Sequence, residues 1–190
     1  MDTIDGTREL TERRPSHAAR WAAIAVGVVL VALIAVLATS KTLDSRGISG
    51  ELLGKPVPRV AGDTLGSGPF DIDDYRGRWV VVNFFATWCA PCVREHPELV
   101  AFSERHAVAN DVEVVSVAYS DTPQSLREFF SRNGGAWPVI PEDTSRSALA
   151  FGVTGVPESY VVDPSGIVVA KFEGVTADAL DGVIDGTVTG

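Results

Sequence analysis

Apolar residues form one long unbroken run near the start of the chain and, after residue 50, shorter runs divided by glycine, proline and charge. The long run, Trp21 to Thr39, carries no charge and is rich in Ala, Val, Leu and Ile. At 1.5 Å per residue a helix of that length reaches roughly 28 Å, about one hydrocarbon core. Among the later runs, Trp79 to Ala86 is apolar at almost every position, as a strand covered on both faces would be. Asp111 to Tyr119, Trp137 to Ile140, Ser159 to Val162 and Ile167 to Phe172 predict further strands, the last two joined by the turn Pro164-Ser165-Gly166. Helical spacing predicts one helix from Cys89 to about His106, with Leu99, Val100 and Phe102 on its apolar side and a kink at Pro97. A second begins at Thr122 as cap and Pro123 as first residue, carries Leu126, Phe129 and Phe130, and stops at Gly134-Gly135. A brief third opens at Asp143 or Thr144 and reaches about Phe151, and Leu180, Val183 and Ile184 mark a last one. Pro56 to Asp74 is broken by proline and glycine into pieces that suit short strands or a hairpin.

Strands alternating with helices, then a closing hairpin, predict an α/β fold with an antiparallel edge. The organisation read from these runs is a polar tail over 1–20, a transmembrane signal-anchor helix over 21–40, a linker over 41–52 and one domain over 53–190. A cleaved signal peptide is the competing reading of the long run. Its apolar part would span about 7–15 residues and end in a small-x-small site. Here Ala35-Val36-Leu37-Ala38 misses that spacing, Ala38-Thr39-Ser40 fits it weakly, and no cysteine follows to carry a lipid. Arg13, Arg14 and Arg20 precede the run, while Lys41 and Arg46 follow it. This bias leans weakly toward a cytoplasmic tail, although Lys55 and Arg59 nearly erase it. The expected location is a single-pass cell-membrane protein with its domain on the extracytoplasmic side.

The net charge of -9, without a basic block, argues against nucleic acid as a partner. Both cysteines of the chain lie in Trp88-Cys89-Ala90-Pro91-Cys92, just past the central strand and at the start of a helix. Open α/β sheets favour that place for reaction sites. Unpaired N–H groups and the helix dipole stabilise a thiolate at Cys89, lowering its pKa below the free value of about 8.5. Cys92, one turn on, can resolve a mixed disulfide formed on Cys89. Trp88 shields one side of the sulfur, and Pro91 stiffens the turn at no cost in hydrogen bonding. A disulfide closing so small a loop braces a fold very little. Structural zinc wants four Cys or His ligands, and the histidines are only His17, His96 and His106, so no metal or other cofactor is expected. Three other residues stay open on the residues alone. His96 reads more readily as a packed or surface histidine than as a redox partner. Asn83 is a structural amide or a group serving the site. Glu158 is a proton-moving carboxylate near the thiols or a bare surface glutamate.

Two segments, Val82-Asn83-Phe84-Phe85-Ala86-Thr87-Trp88-Cys89-Ala90-Pro91-Cys92-Val93-Arg94-Glu95-His96-Pro97 and Phe151-Gly152-Val153-Thr154-Gly155-Val156-Pro157-Glu158-Ser159-Tyr160-Val161-Val162-Asp163, carry a resemblance to thioredoxin-like proteins. Together with the upstream anchor they resemble the membrane-anchored, extracytoplasmic branch of cytochrome c maturation. The resemblance implies a thioredoxin-like fold: a central mixed sheet flanked by helices, an N-terminal strand extension, and a central insertion supplied by Trp137 to Phe151. It implies that Cys89 is the exposed nucleophile and Cys92 the resolving thiol. Pro157 would be cis and face Cys89, Val156 would help select partners, and Glu158 would be the acidic group near the site. Ordinary thioredoxin has a buried Asp where this chain has Asn83, so protons must pass through water, Glu158 or another group. The implied activity is a protein thiol-disulfide oxidoreductase that reduces disulfides of exported proteins, apocytochrome c among them, and is recharged by a membrane thiol-disulfide electron donor. Two alternatives stay open: a net disulfide-forming oxidase for exported proteins, and a non-catalytic thiol-binding module or metallochaperone.

Overall fold

The computed structural model describes Trp21, Ile24 and residues 26–32, 52–66, 68–141 and 145–186. Two compact units are distinguished, Met1–Arg46 and Gly47–Gly190. In the first, Trp21, Ile24 and residues 26–32 are helical. No helix among the described residues is long and apolar enough to cross a membrane. The tail over 1–20, most of the anchor over 21–40 and all of the linker but Leu52 lie outside the described residues.

The second unit runs β1 (Ala61–Asp63), β2 (Pro69–Asp71), a 3-10 turn (Ile72–Tyr75), β3 (Trp79–Phe85), α1 (Ala90–His106), β4 (Val112–Ala118), α2 (Pro123–Asn133), β5 (Val139–Ile140), α3 (Arg146–Phe151), β6 (Glu158–Val162), β7 (Val168–Phe172) and α4 (Ala177–Ile184). Five strands form one mixed sheet in the order β5-β4-β3-β6-β7. β3 pairs parallel with β4 and antiparallel with β6, so it lies at the centre, as its almost wholly apolar sequence predicts. Its side chains divide by parity. Val81 and Phe85 pack with Leu99, Phe102, Leu126, Phe129 and Leu180 of α1, α2 and α4. Val80, Val82 and Phe84 pack with Val60, Phe70, Ile72, Phe151 and Tyr160 on the opposite face. Asn83 shares the parity of Val81 and Phe85 and is buried with them.

The N-terminal extension forms the β1–β2 hairpin and guards both sheet edges. Gly54 donates to the Val168 carbonyl, Val168 to the Lys55 carbonyl and Val57 to the Gly166 carbonyl, so this stretch runs beside β7. On the other edge Leu65 donates to the carbonyl of Val139 in β5. Open edges invite pairing with other chains, and these contacts occupy them.

The expected caps of α2 are present: Thr122 accepts the Ser125 N–H, and Gly134 ends the helix at φ 78°. α1 runs through Pro97 to His106, the end expected for it. Two boundaries differ from expectation. The strand expected from Trp137 starts only at Val139, because Pro138 has no N–H to give a ladder. α3 starts at Arg146 after Ser145, which has φ 59° and makes no side-chain cap bond, while the expected caps Asp143 and Thr144 lie outside the described residues.

Candidate active site

Cys89 is the N-cap of α1 in extended conformation, its Cα 5.2 Å from that of Cys92, and the two are joined by a disulfide. The backbone N–H of Cys92 donates to Cys89 Sγ at 3.2 Å. An N–H aimed at one sulfur favours negative charge there, which marks Cys89 as the sulfur prepared to be a thiolate. The expectation that Cys89 stands exposed is corrected for this disulfide-bonded form: Cys89 is 5% exposed and Cys92 2%. Cys89 is covered because Val156 reaches over it, the Val156 carbonyl lying 3.5 Å from its Sγ.

The approach to the disulfide is fixed from the loop between β4 and α2. Asp121 Oδ2 accepts the Thr87 N–H at 2.6 Å, and the Trp88 indole donates to the Ser120 carbonyl at 3.0 Å. Trp88 is therefore held while remaining 61% exposed, a firm apolar surface beside the sulfur. Asp121 was not legible as a site residue. Its one signal was its place just before the α2 cap.

On the other side of Cys89 the Val156–Pro157 peptide bond is cis. Pro91, Thr154, Gly155, Val156, Pro157, Glu158 and Glu173 line an open groove of about 370 Å³. Glu158 borders this groove, yet it is not a free carboxyl. Its Oε1 accepts the backbone N–H and hydroxyl of Thr154 at 3.1 and 3.0 Å. Its Oε2 accepts the Tyr160 hydroxyl at 2.9 Å and lies 3.1 Å from Lys171 Nζ in a buried ion pair. Burial opposes its charge, but the bonds from Thr154 and Tyr160 and the Lys171 ammonium outweigh it and hold the carboxyl below the usual carboxylate range. Glu158 thus stays ionised and ties the loop at Thr154 to the sheet, which is a poor arrangement for moving protons.

The carboxyl better suited to that task is Glu95, one turn beyond Cys92 on α1 and buried. Residues three apart on a helix are neighbours. Burial pushes the Glu95 carboxyl up, and the bonds from the Val175 N–H at 3.0 Å and the Asn83 amide at 3.1 Å restrain it only partly. Sequence reasoning passed over Glu95, although its spacing from Cys92 was a usable signal. Asn83 is a buried, fully hydrogen-bonded amide. It bonds Glu95 Oε1 and Ser159 Oγ, and it accepts from Ser116. His96 is a packed residue: its Nε2 meets the Gly134 carbonyl at 3.1 Å, rings of Phe129, Phe130 and Trp137 surround it, and burial keeps its pKa low.

Residues 53–171 match the AhpC/TSA family. The thiol:disulfide interchange protein HelX of Rhodobacter capsulatus is 34% identical over 77% of this chain and 83% of its own length. The thiol:disulfide interchange protein DsbE of Allochromatium vinosum is 31% identical over 82% of this chain and 85% of its own. A crystal structure of a thioredoxin-family thiol:disulfide interchange protein from Chlorobium tepidum superposes with a TM-score of 0.64 at 29% identity, over 70% of this chain and 94% of that one.

Proposed function

Because the chain belongs to the AhpC/TSA family and is a thioredoxin-like thiol-disulfide oxidoreductase, we propose that it is a membrane-tethered reductase of disulfides in exported proteins, apocytochrome c among them. The observation that carries this reading is the dithiol at the start of α1, with the Cys92 N–H directed at Cys89 Sγ. In the reduced pair the Cys89 thiolate attacks one sulfur of the substrate disulfide, and the other substrate sulfur leaves as a thiolate. Cys92 then loses its proton to Glu95 and attacks Cys89 Sγ. The second substrate thiolate departs, the substrate holds two thiols, and the enzyme holds the Cys89–Cys92 disulfide. A membrane thiol-disulfide donor returns two electrons to the pair. Val156 and the groove beside Pro157 offer a backbone and side-chain surface to an extended peptide, with Trp88 on the opposite flank. The apolar run over 21–40 supplies the tether and sets the domain on the extracytoplasmic side of the cell membrane.

Cys92→Ala in the full chain, expressed in cells and analysed under non-reducing conditions, is expected to accumulate mixed disulfides on Cys89 that include apocytochromes c. A collection of exported proteins without them removes that substrate assignment. Absence of any adduct removes the two-step mechanism.

A further inference from the structure

An amide side chain can occupy its site in two orientations, and only its partners decide which. For Asn83 the decision is made at a distance. The Trp137 indole donates to Ser116 Oγ at 2.8 Å. An indole N–H can only donate, so it fills an acceptor position on Ser116 and leaves the hydroxyl hydrogen to go onward. That hydroxyl points at Asn83 Oδ1 at 3.4 Å, a long bond. With its oxygen occupied there, Asn83 turns its NH₂ the other way, donating to Glu95 Oε1 at 3.1 Å and Ser159 Oγ at 3.0 Å. The reverse orientation would set the amide oxygen against the carboxylate.

We propose that Trp137, acting through Ser116 and Asn83, is a positioning residue for the Glu95 carboxylate, so that the segment between α2 and β5 holds the group that receives the Cys92 proton. This rests on the reading of Glu95 as that acceptor. Trp137 is built to stay in place. It is 5% exposed, stands edge-on to Phe130 with centroids 5.8 Å apart, and faces His96 at 5.4 Å. Gly135 passes close beneath it at φ +97°, where a Cβ would come within 2.9 Å of the indole. The chain of bonds runs across three adjacent strands: Trp137 precedes β5, Ser116 lies in β4, Asn83 in β3 and Ser159 in β6. An amide does not pass protons on, so the relay fixes Glu95 without draining it. The carboxylate's second oxygen is held by Val175 N–H at 3.0 Å. Other titratable groups on these elements are Cys92, Arg94, His96, Glu98, Glu104, Arg105 and His106 of α1, Glu113 of β4, Glu158 and Lys171 of β6 and β7, Glu173 beyond β7, and Asp178 and Asp181 of α4. Glu98 is anchored on the Ala177 N–H, and Glu158 is paired with Lys171.

The test follows the Glu95 side-chain carboxyl by ¹³C NMR across pH in the reduced full-length protein, with Glu95→Gln giving the assignment. Ser116→Ala is expected to raise the Glu95 pKa by about half a unit to one unit, as weakening of the Asn83 bond to the charged carboxylate would. Trp137→Phe, which keeps the ring and removes the N–H, is expected to shift it the same way by less. The double variant should match Ser116→Ala, because both residues act through one chain of bonds. An unchanged Glu95 titration in both single variants, with only the melting temperature lowered, would overturn the relay. The two readings separate cleanly. If Glu95→Gln leaves the pH dependence of disulfide resolution unchanged while Ser116→Ala moves the Glu95 titration, the acceptor role fails and the relay stands.

Discussion

Glu95 and Glu158 are both buried carboxyls within the catalytic end of the sheet, yet their surroundings push them in opposite directions. Glu95 has two hydrogen-bond donors and, among the described residues, no cation paired with it, so burial dominates and its proton is held to higher pH. Glu158 has Thr154, Tyr160 and Lys171, and its charge is held. The consequence for Glu95 is kinetic. Glu95→Gln is expected to slow the attack of Cys92 on a Cys89 mixed disulfide by about a hundredfold near neutral pH, the lower end of the usual range for a lost general base. Stopped-flow measurement of that step against pH should also lose the Glu95 limb, and an unaltered profile would remove the residue from the mechanism. The consequence for Glu158 is structural. Lys171→Met strands a buried anion and is expected to cost about 3–5 kcal/mol in denaturant unfolding, much of it recovered when Glu158→Gln is added. Cys89, Cys92, Trp88 and Pro91 were legible because their chemistry sits in adjacent residues. The roles of the two glutamates were not. Each depends on partners that folding brings in, such as Val175 for Glu95 and Lys171 for Glu158.

Helices and strands were legible where period and punctuation agree. β3 reads as central from its almost wholly apolar sequence, and α2 from Thr122-Pro123 at one end and Gly134 at the other. The edge contacts of residues 54–57 and Leu65 were not legible, since they are backbone bonds that leave no mark on side-chain pattern. Nor was the joint between α1 and α4. At the end of α1, His106 lies 3.0 Å from both Asp111 and Asp181, and Arg105 pairs with Asp178 and Asp181. Burial opposes the charge on His106, but the bonds to Asp181 and Asp111 prevail and raise its pKa above the ordinary 6.5. A raised histidine pKa stabilises the fold fully below the unfolded value and loses that contribution as pH climbs through the folded one. The melting temperature should therefore fall from pH 6 toward pH 9, and His106→Gln should flatten that part of the curve. A slope that survives the substitution would place the pH dependence elsewhere.

At the scale of the whole molecule, the dithiol's direction of use depends on which redox state the protein favours. A pair becomes a strong oxidant when its reduced, thiolate form is stabilised. Here the Cys92 N–H and the start of α1 favour a Cys89 thiolate, but a buried carboxyl lies one turn past Cys92 and the chain carries a net charge of -9. Negative charge nearby disfavours a second anion at the site. The proposed reductase requires this balance to fall on the side of a pair that gives electrons away. The decisive measurement is the reduction potential of Cys89–Cys92, obtained by equilibrating the full-length protein with defined thiol-disulfide buffers and counting free thiols. A value of about −270 mV or lower, in the range of thioredoxin, is the expected result. A value of about −120 mV, in the range of a disulfide-forming oxidase, would contradict the reductase assignment and reverse the direction of electron flow.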